Sequence, residues 1–384
     1  MKSKRRVLII GLLDSVHLAK WLRQFCQEDI DFLLMPSKKF RKIHPLLAQL
    51  VTNQGKANYK ILGSYGSIRL AGYVDYIRHE FFKKFSYKRI TSIQRILSCN
   101  DFNFVHALEI QGAGYLLSDL DPNLLRETKV IVTNWGSDIY YFQNYPHHRD
   151  RIIKVLKLAD FYSAECFRDY KLARQLGFMG VDLPCIPNSG GIAISLNIYE
   201  SIKPSERKQI IVKGYGGSFG RIDLVLNALS RVLGDFPSII VLIYSVTDDI
   251  RALVEDFCHR FPTRVSFRTV HQQLTIEEMR REMLSSRIYI GCSKSDGIST
   301  SFLEALSCGT FPIQTQTSCA SEWVEKGFIA DTVDLDVDEL SNSILNALKD
   351  NDLVDNAQLT NASLSKEYLD IEIIKRKALD FYLT

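Results

Sequence analysis

Short apolar runs alternate with amphipathic stretches along the whole chain, and that alternation predicts strands separated by helices. Residues 7–13 form an apolar run, 11–17 carry its turn, 18–25 read as an amphipathic helix, and 31–35 return to strand character. The pattern continues with strands at 102–107, 129–133 and 161–164 and helices at 151–158 and 167–176. It resumes with strands at 209–212, 239–244, 265–270 and 288–292, a strand beginning at 311, and helices at 222–233, 340–348 and 371–382. Strands written as continuous apolar runs suit parallel sheets covered on both faces, so the pattern calls for an α/β architecture.

Between the two series lies Pro184-Cys-Ile-Pro-Asn-Ser-Gly-Gly191, whose prolines and glycines mark a domain boundary. With 384 residues the chain has room for two cores, expected at 1–190 and 207–365, with a linker at 191–206 and a closing helix within 366–384. A hydrophobic share of 46% and a charged share of 24% are those of a globular chain. The start has a basic leader and an apolar run, but the run ends at Asp14 with no small-residue cleavage site, so a first strand is expected rather than a signal peptide. No apolar segment approaches the ~20 residues of a membrane span. The eight cysteines (Cys26, Cys99, Cys166, Cys185, Cys258, Cys292, Cys308 and Cys319) never form Cys-x-x-Cys, which points to buried thiols in a reducing cytosol rather than disulfides or a zinc site.

Charge changes this picture in one place. Residues 1–100 hold 19 Lys and Arg against 6 Asp and Glu, leaving 29 against 38 for the rest, so the first quarter is suited to an anionic partner. The stretch 38–95 is the least regular and most basic, with KKFRK at 38–42. Within 78–95, Ile77, Phe81 and Phe85 fall at helical spacing beside Phe82, Lys83, Lys84, Lys88 and Arg89. Two readings of that segment stay open: a basic amphipathic helix lying on an anionic membrane, or a helix packing its aromatic side on the core. Nucleic acid is not expected as a partner, since no nucleic-acid-binding motif accompanies the charge.

The densest chemistry runs from Ile288 to Thr315. A buried strand leads into the turn Ser-Lys-Ser-Asp-Gly, then into a helix that opens with Ser299, Thr300 and Ser301 and stops at Gly309. Such a helix start presents free N–H groups to an anion, phosphate above all, and Glu304 lies one turn inside. Ser301-Phe-Leu-Glu304 also fits a capping box in which Glu304 only closes its own helix. Upstream, the loop Lys213 to Arg221 has glycines at 214, 216, 217 and 220, which miss the dinucleotide spacing that a third reading, an NAD-dependent oxidoreductase, needs; a nicotinamide-cofactor binding test separates it. With a cation at each end, the loop can bring backbone and charge onto a diphosphate.

The run SDGISTSFLEALSCGTFPIQT resembles the donor-site signature of glycosyltransferase family 4, Glu, seven residues, Glu, with Asp296 in the first place and Glu304 in the second. The resemblance implies the GT-B fold, two Rossmann-like doubly wound parallel-sheet domains facing a central cleft. It implies retaining transfer of a sugar from a nucleotide sugar to a glycan or lipid-linked acceptor, in polysaccharide or glycoconjugate synthesis. Glu304 would hold the ribose, while Asp296 and the N–H groups of Gly297, Ile298, Ser299 and Thr300 would face sugar and diphosphate. Lys213, Gly214 and Gly216 match the family's glycine loop; Phe219 falls where its second cation is usual, and Arg221 is the expected substitute. Leu274 would pass near the base. On the acceptor side, DSVHLAKWLRQF resembles the family's opening turn, placing Gly11 and His17 near the acceptor, or His17 in solvent at its helix start. His106 matches a histidine near the reacting sugar, with Leu108 where a second is often found, or else it is a satisfied histidine at a strand end. TNWGSD resembles a turn whose Asp138 orders the cleft wall. No metal or cofactor is expected, because Asp119-Leu-Asp121 and the 334–338 run read as solvated turns. The rival reading is a catalytically weak relative that only binds nucleotide sugar or glycan. The expected location is cytoplasmic, with a peripheral seat at the inner membrane face if residues 78–95 meet lipid.

Overall fold

The computed structural model describes residues 4–40, 42–53, 55–61, 85–194 and 202–383, with only the backbone course at 85–89. The aromatic and basic positions 77–89 lie outside the described side chains. Helix Phe85–Cys99 continues that segment. The chain divides into two compact units: Met1–Gly190 with Lys375–Thr384, and Gly191–Ile374. Residues 191–194, read as linker, group with the second unit, and the end of the last helix, Ile371–Leu383, groups with the first.

In the first unit, the described strands are β1 (Arg5–Gly11), β2 (Ile30–Pro36), β3 (Asn58–Ile61), β4 (Phe104–Leu108), β5 (Lys129–Thr133), β6 (Phe161–Ser163) and β7 (Val181–Asp182). They pair in parallel in the order β3-β2-β1-β4-β5-β6-β7, so the direction of winding reverses between β1 and β4. Helix Val16–Arg23 follows β1 because Ser15 accepts the His17 N–H as its N-cap and Lys20 and Arg23 close the last turn. It buries Leu18, Ala19, Trp21 and Leu22. Trp21 meets Phe25 and Phe381 edge-on, and Phe25 and Phe32 pack on Tyr382, an aromatic layer over one face of the sheet. Leu8, Ile10, Val105, Ala107, Val130 and Val132 fill the other face. Within the stretch read as irregular, helix Pro45–Thr52 and β3 form; both are short, and β3 alternates exposed and buried positions rather than running apolar.

The second unit holds β8 (Gln209–Lys213), β9 (Ile240–Val246), β10 (Val265–Thr269), β11 (Ser286–Gly291), β12 (Phe311–Thr315) and β13 (Asp331–Val333), parallel in the order β10-β9-β8-β11-β12-β13. Alternate residues serve opposite faces: Ile288 and Ile290 of β11 join the aliphatic layer with Val225, Leu229 and Ile344, and Tyr289 joins the layer with Phe302 and Leu306. The 18-residue helix Asn351–Tyr368 is absent from the sequence reading because much of its buried face is polar. Gln358, Asn361 and Ser365 are all at most 4% exposed, and Asn361 bonds both backbone groups of Ile329 at 2.7 and 2.8 Å.

Candidate functional site

In the second unit, β8 has β9 on one side and β11 on the other, so the strand order reverses where β8 and β11 end. Open parallel sheets bind ligands at the C-terminal ends of strands at such a point. Lys213 closes β8, half-buried, with Nζ 5.5 Å from the centre of the Tyr215 ring. The glycine loop then folds on itself. Gly214 donates to the Tyr244 carbonyl at 2.7 Å, Gly217 to the Asp249 carboxylate at 2.7 Å and Gly220 to the Gly216 carbonyl at 3.0 Å. A Cβ on Gly220 would stand 1.8 Å from the Tyr215 carbonyl oxygen, and Gly217 has φ of +68°, so both positions require glycine. The Gly214 N–H is thereby engaged by β9. Gly216 supplies a carbonyl to the same turn.

Arg221 also departs from expectation. Its guanidinium grips the Asp223 carboxylate at 2.8 and 2.7 Å, which draws Asp223 below its usual range and neutralises the arginine locally. An exposed lysine stands nearby instead. Lys294, at the exit of β11, donates its backbone N–H to the Phe219 carbonyl at 2.7 Å, and Arg221 donates to the Cys292 carbonyl at 3.0 Å, so an antiparallel bridge at Gly220 and Ser293 ties this exit to the glycine loop. Sequence reading passes over Lys294, a lone lysine in a turn, since only that bridge sets it beside the loop.

Helix Thr300–Ser307 begins just beyond. Ser299 occupies the N-cap, and its side chain makes no capping hydrogen bond. Ser301 lies inside the first turn, so the Ser301–Glu304 capping box does not form: the cap residue must precede the helix. Gly297, Ile298 and Ser299 are buried, and Asp296, Thr300 and Glu304 are half-buried. The charges of Asp296 and Glu304 both act on the Tyr289 hydroxyl, whose ionisation is pushed far up, by burial first. Both carboxylates therefore lie within electrostatic reach of that phenol. Tyr244 of β9 stands beside that phenol, also held protonated by burial. Neither tyrosine is flagged by the sequence, where each reads as an apolar strand residue. Leu274 packs against the layer that contains Ile298, Phe302 and Leu303.

In the first unit the corresponding reversal lies between β1 and β4. Gly11 ends β1, where a Cβ would meet Leu108 Cβ at 3.4 Å. His17, in the first turn of its helix, is half-buried, with its ring 5.6 Å from that of Trp135. The Asp138 carboxylate accepts the Ile110 N–H at 2.9 Å and the Trp135 N–H at 3.4 Å, stapling two turns together. Burial, and after it the charge of Glu109, pushes the Asp138 carboxyl up to about 7. Glu109, which the sequence reading left without a role, has φ of +110° and accepts from Gly112 N–H at 2.9 Å, Ala113 N–H at 3.2 Å and Ser37 Oγ at 2.7 Å. Lys38 Nζ is 3.4 Å from it.

His106 has the environment of the satisfied histidine, the second of its two readings. It sits inside β4, 0% exposed, with Nδ1 2.8 Å from the Tyr382 hydroxyl and Nε2 2.6 Å from Thr133 Oγ1. Burial depresses it to about 3, so it is neutral. β4 runs on to Leu108, which leaves the ring in the core with both nitrogens engaged.

Residues 6–160 match the glycosyl transferase 4-like family. No curated protein matches the chain in sequence. Among solved structures, sucrose-phosphate synthase from Thermosynechococcus elongatus is similar with a TM-score of 0.71 at 12% identity, covering 98% of each chain. HepE of Anabaena in complex with UDP-glucose gives 0.67 at 11%, also covering 98% of each. A glycosyltransferase from Rickettsia africae gives 0.66 at 13%, covering 99% of this chain and 98% of that one. The protein thus has the two-unit α/β architecture of the GT-B fold, and residues 6–160 of its first unit are similar to the glycosyl transferase 4-like family.

Proposed function

We propose that the protein transfers a sugar, with retention and without a metal, from a uridine-diphosphate sugar to a glycan or lipid-linked acceptor. The observation that carries this reading is the start of helix Thr300–Ser307, which its N-cap Ser299 leaves uncapped, set at the strand reversal with Lys213 and with Asp296 and Glu304 in electrostatic reach of Tyr289. Its N–H groups and Lys213, joined by Lys294, would meet the diphosphate and stabilise the departing anion; Glu304 would take the ribose diol and Asp296 the sugar. The uridine diphosphate follows HepE, whose structures hold UDP and UDP-glucose. The first unit would seat the acceptor, with Gly11, His17 and the turn ordered by Asp138 at one sheet edge. Residues 78–95 would hold the enzyme on an anionic membrane; cosedimentation with anionic vesicles at low salt, lost at high salt, tests that arm.

Thermal denaturation in the presence of UDP, GDP, ADP and their sugars tests the donor reading. A donor at about a hundredfold excess over its Kd adds roughly 2.7 kcal/mol to stability. Stabilisation by none of them would remove the donor site. Stabilisation by one, with neither transfer nor slow donor hydrolysis, would leave a nucleotide-sugar-binding relative.

A further inference from the structure

The helix that starts the donor site carries a serine that does not cap it. Ser299 stands at the N-cap with φ −69° and ψ 119°. In that geometry a serine hydroxyl ordinarily accepts an N–H of the first turn. The hydroxyls of Ser15 and Thr275 do this at their own helices, as the Asp336 carboxylate does at its own. The Ser299 Oγ lies instead 3.3 Å from the hydroxyl of Tyr289. Tyr289 is 0% exposed and stands on β11 beneath the helix, in the layer with Ile298 and Phe302.

The phenol reaches that place over Gly291. A Cβ on this glycine would stand 2.6 Å from the Tyr289 hydroxyl and 2.2 Å from Gln314 Oε1, so any other residue would displace both. Gln314 is 1% exposed, and its Oε1 has no hydrogen-bond partner among the described residues. An unpaired buried acceptor is a feature that folded proteins rarely keep without a use. A glycine, a buried phenol and a buried amide thus make a polar recess under the helix start, and the serine hydroxyl is turned into it.

We infer that Tyr289 is a positioning residue of the donor site: by holding the Ser299 hydroxyl it prevents self-capping of helix Thr300–Ser307 and leaves the N–H groups of Ser301 and Phe302 for the donor phosphate. A capping oxygen and a phosphate oxygen compete for the same N–H groups, and the first is always at hand. Removing that competitor favours the anion. The inference rests on the donor reading above.

The test is a cycle of Y289F, S299A and Y289F/S299A, with UDP and uridine as probes in calorimetric titrations and melting temperature as the check on folding. Phenylalanine keeps the ring and frees Ser299 to cap. Y289F is expected to bind UDP about tenfold more weakly, one charge-assisted hydrogen bond, with unchanged affinity for uridine and no fall in melting temperature. Y289F/S299A is expected to regain most of the loss, which a merely structural role for the phenol would not produce. UDP affinity of Y289F equal to wild type, or a double variant no tighter than Y289F, overturns the inference while leaving the donor site intact. Wild-type protein that binds no nucleoside diphosphate overturns both.

Discussion

Replacing Asp138 by Asn should abolish a pH dependence of stability that runs opposite to the usual behaviour of a carboxylate. The carboxyl is enclosed between the Ile110 and Trp135 N–H groups, and burial followed by the charge of Glu109 raises it from 3.8 to about 7. In the unfolded chain the group gives up its proton near pH 4, and in the folded chain it keeps it until about pH 7. Between those values the folded state binds more protons, so this group's contribution is full at low pH and falls as pH rises towards 7, then stays constant. A shift of roughly three units at 1.36 kcal/mol each sets the loss at no more than about 4 kcal/mol. Asn offers an oxygen to the same N–H groups and carries no titrating proton. The assay is urea unfolding of wild type and D138N at intervals from pH 4 to 8, taking the difference in unfolding free energy at each pH so that every other group cancels. Wild-type stability should fall relative to D138N by about 1.4 kcal/mol per unit in the middle of that range. A difference that stays level, or rises with pH, would refute the burial argument and show Asp138 ionised in the folded protein.

Glu304→Gln keeps size and loses charge at the ribose position, so uridine should bind about tenfold more weakly with the melting temperature unchanged; a lower melting temperature with unchanged affinity would assign Glu304 to its own helix. Lys213→Ala should slow transfer on the order of a hundredfold, the effect of losing one preorganised donor, and Lys294→Ala should slow it by a smaller factor. Arg221→Ala should act mainly on stability, measured by melting temperature, because its partner is Asp223. His106→Leu leaves the Tyr382 and Thr133 hydroxyls without their ring partner and should cost about 1–3 kcal/mol in unfolding free energy, while kcat of the folded enzyme is unchanged. Transfer should also proceed at full rate in excess EDTA, read as UDP release.

The parallel α/β architecture, the break near Gly191 and the strand, turn and helix of 288–307 were legible in the chain because each depends on near neighbours: apolar runs, turn residues, and a helix start a few residues from its carboxylate. Arg221 and Asp223 are two apart and their pairing was open to local reading as well. Tertiary structure alone decided the rest. His106 looks like a strand-end histidine until Thr133, 27 residues on, and Tyr382, near the other end of the chain, close over its two nitrogens. Lys294 becomes part of the site only through a bridge to a loop about 75 residues earlier. Helix Asn351–Tyr368 hides from periodicity because Asn361 answers the backbone of Ile329 rather than an apolar neighbour. The partner of the Ser299 hydroxyl is a tyrosine ten residues away on the strand beneath the helix. Hydrophobic period and turn chemistry are local properties of a sequence; hydrogen-bond partnership and desolvation are set by whichever groups the folded chain brings within about 3 Å, and no spacing along the chain encodes them.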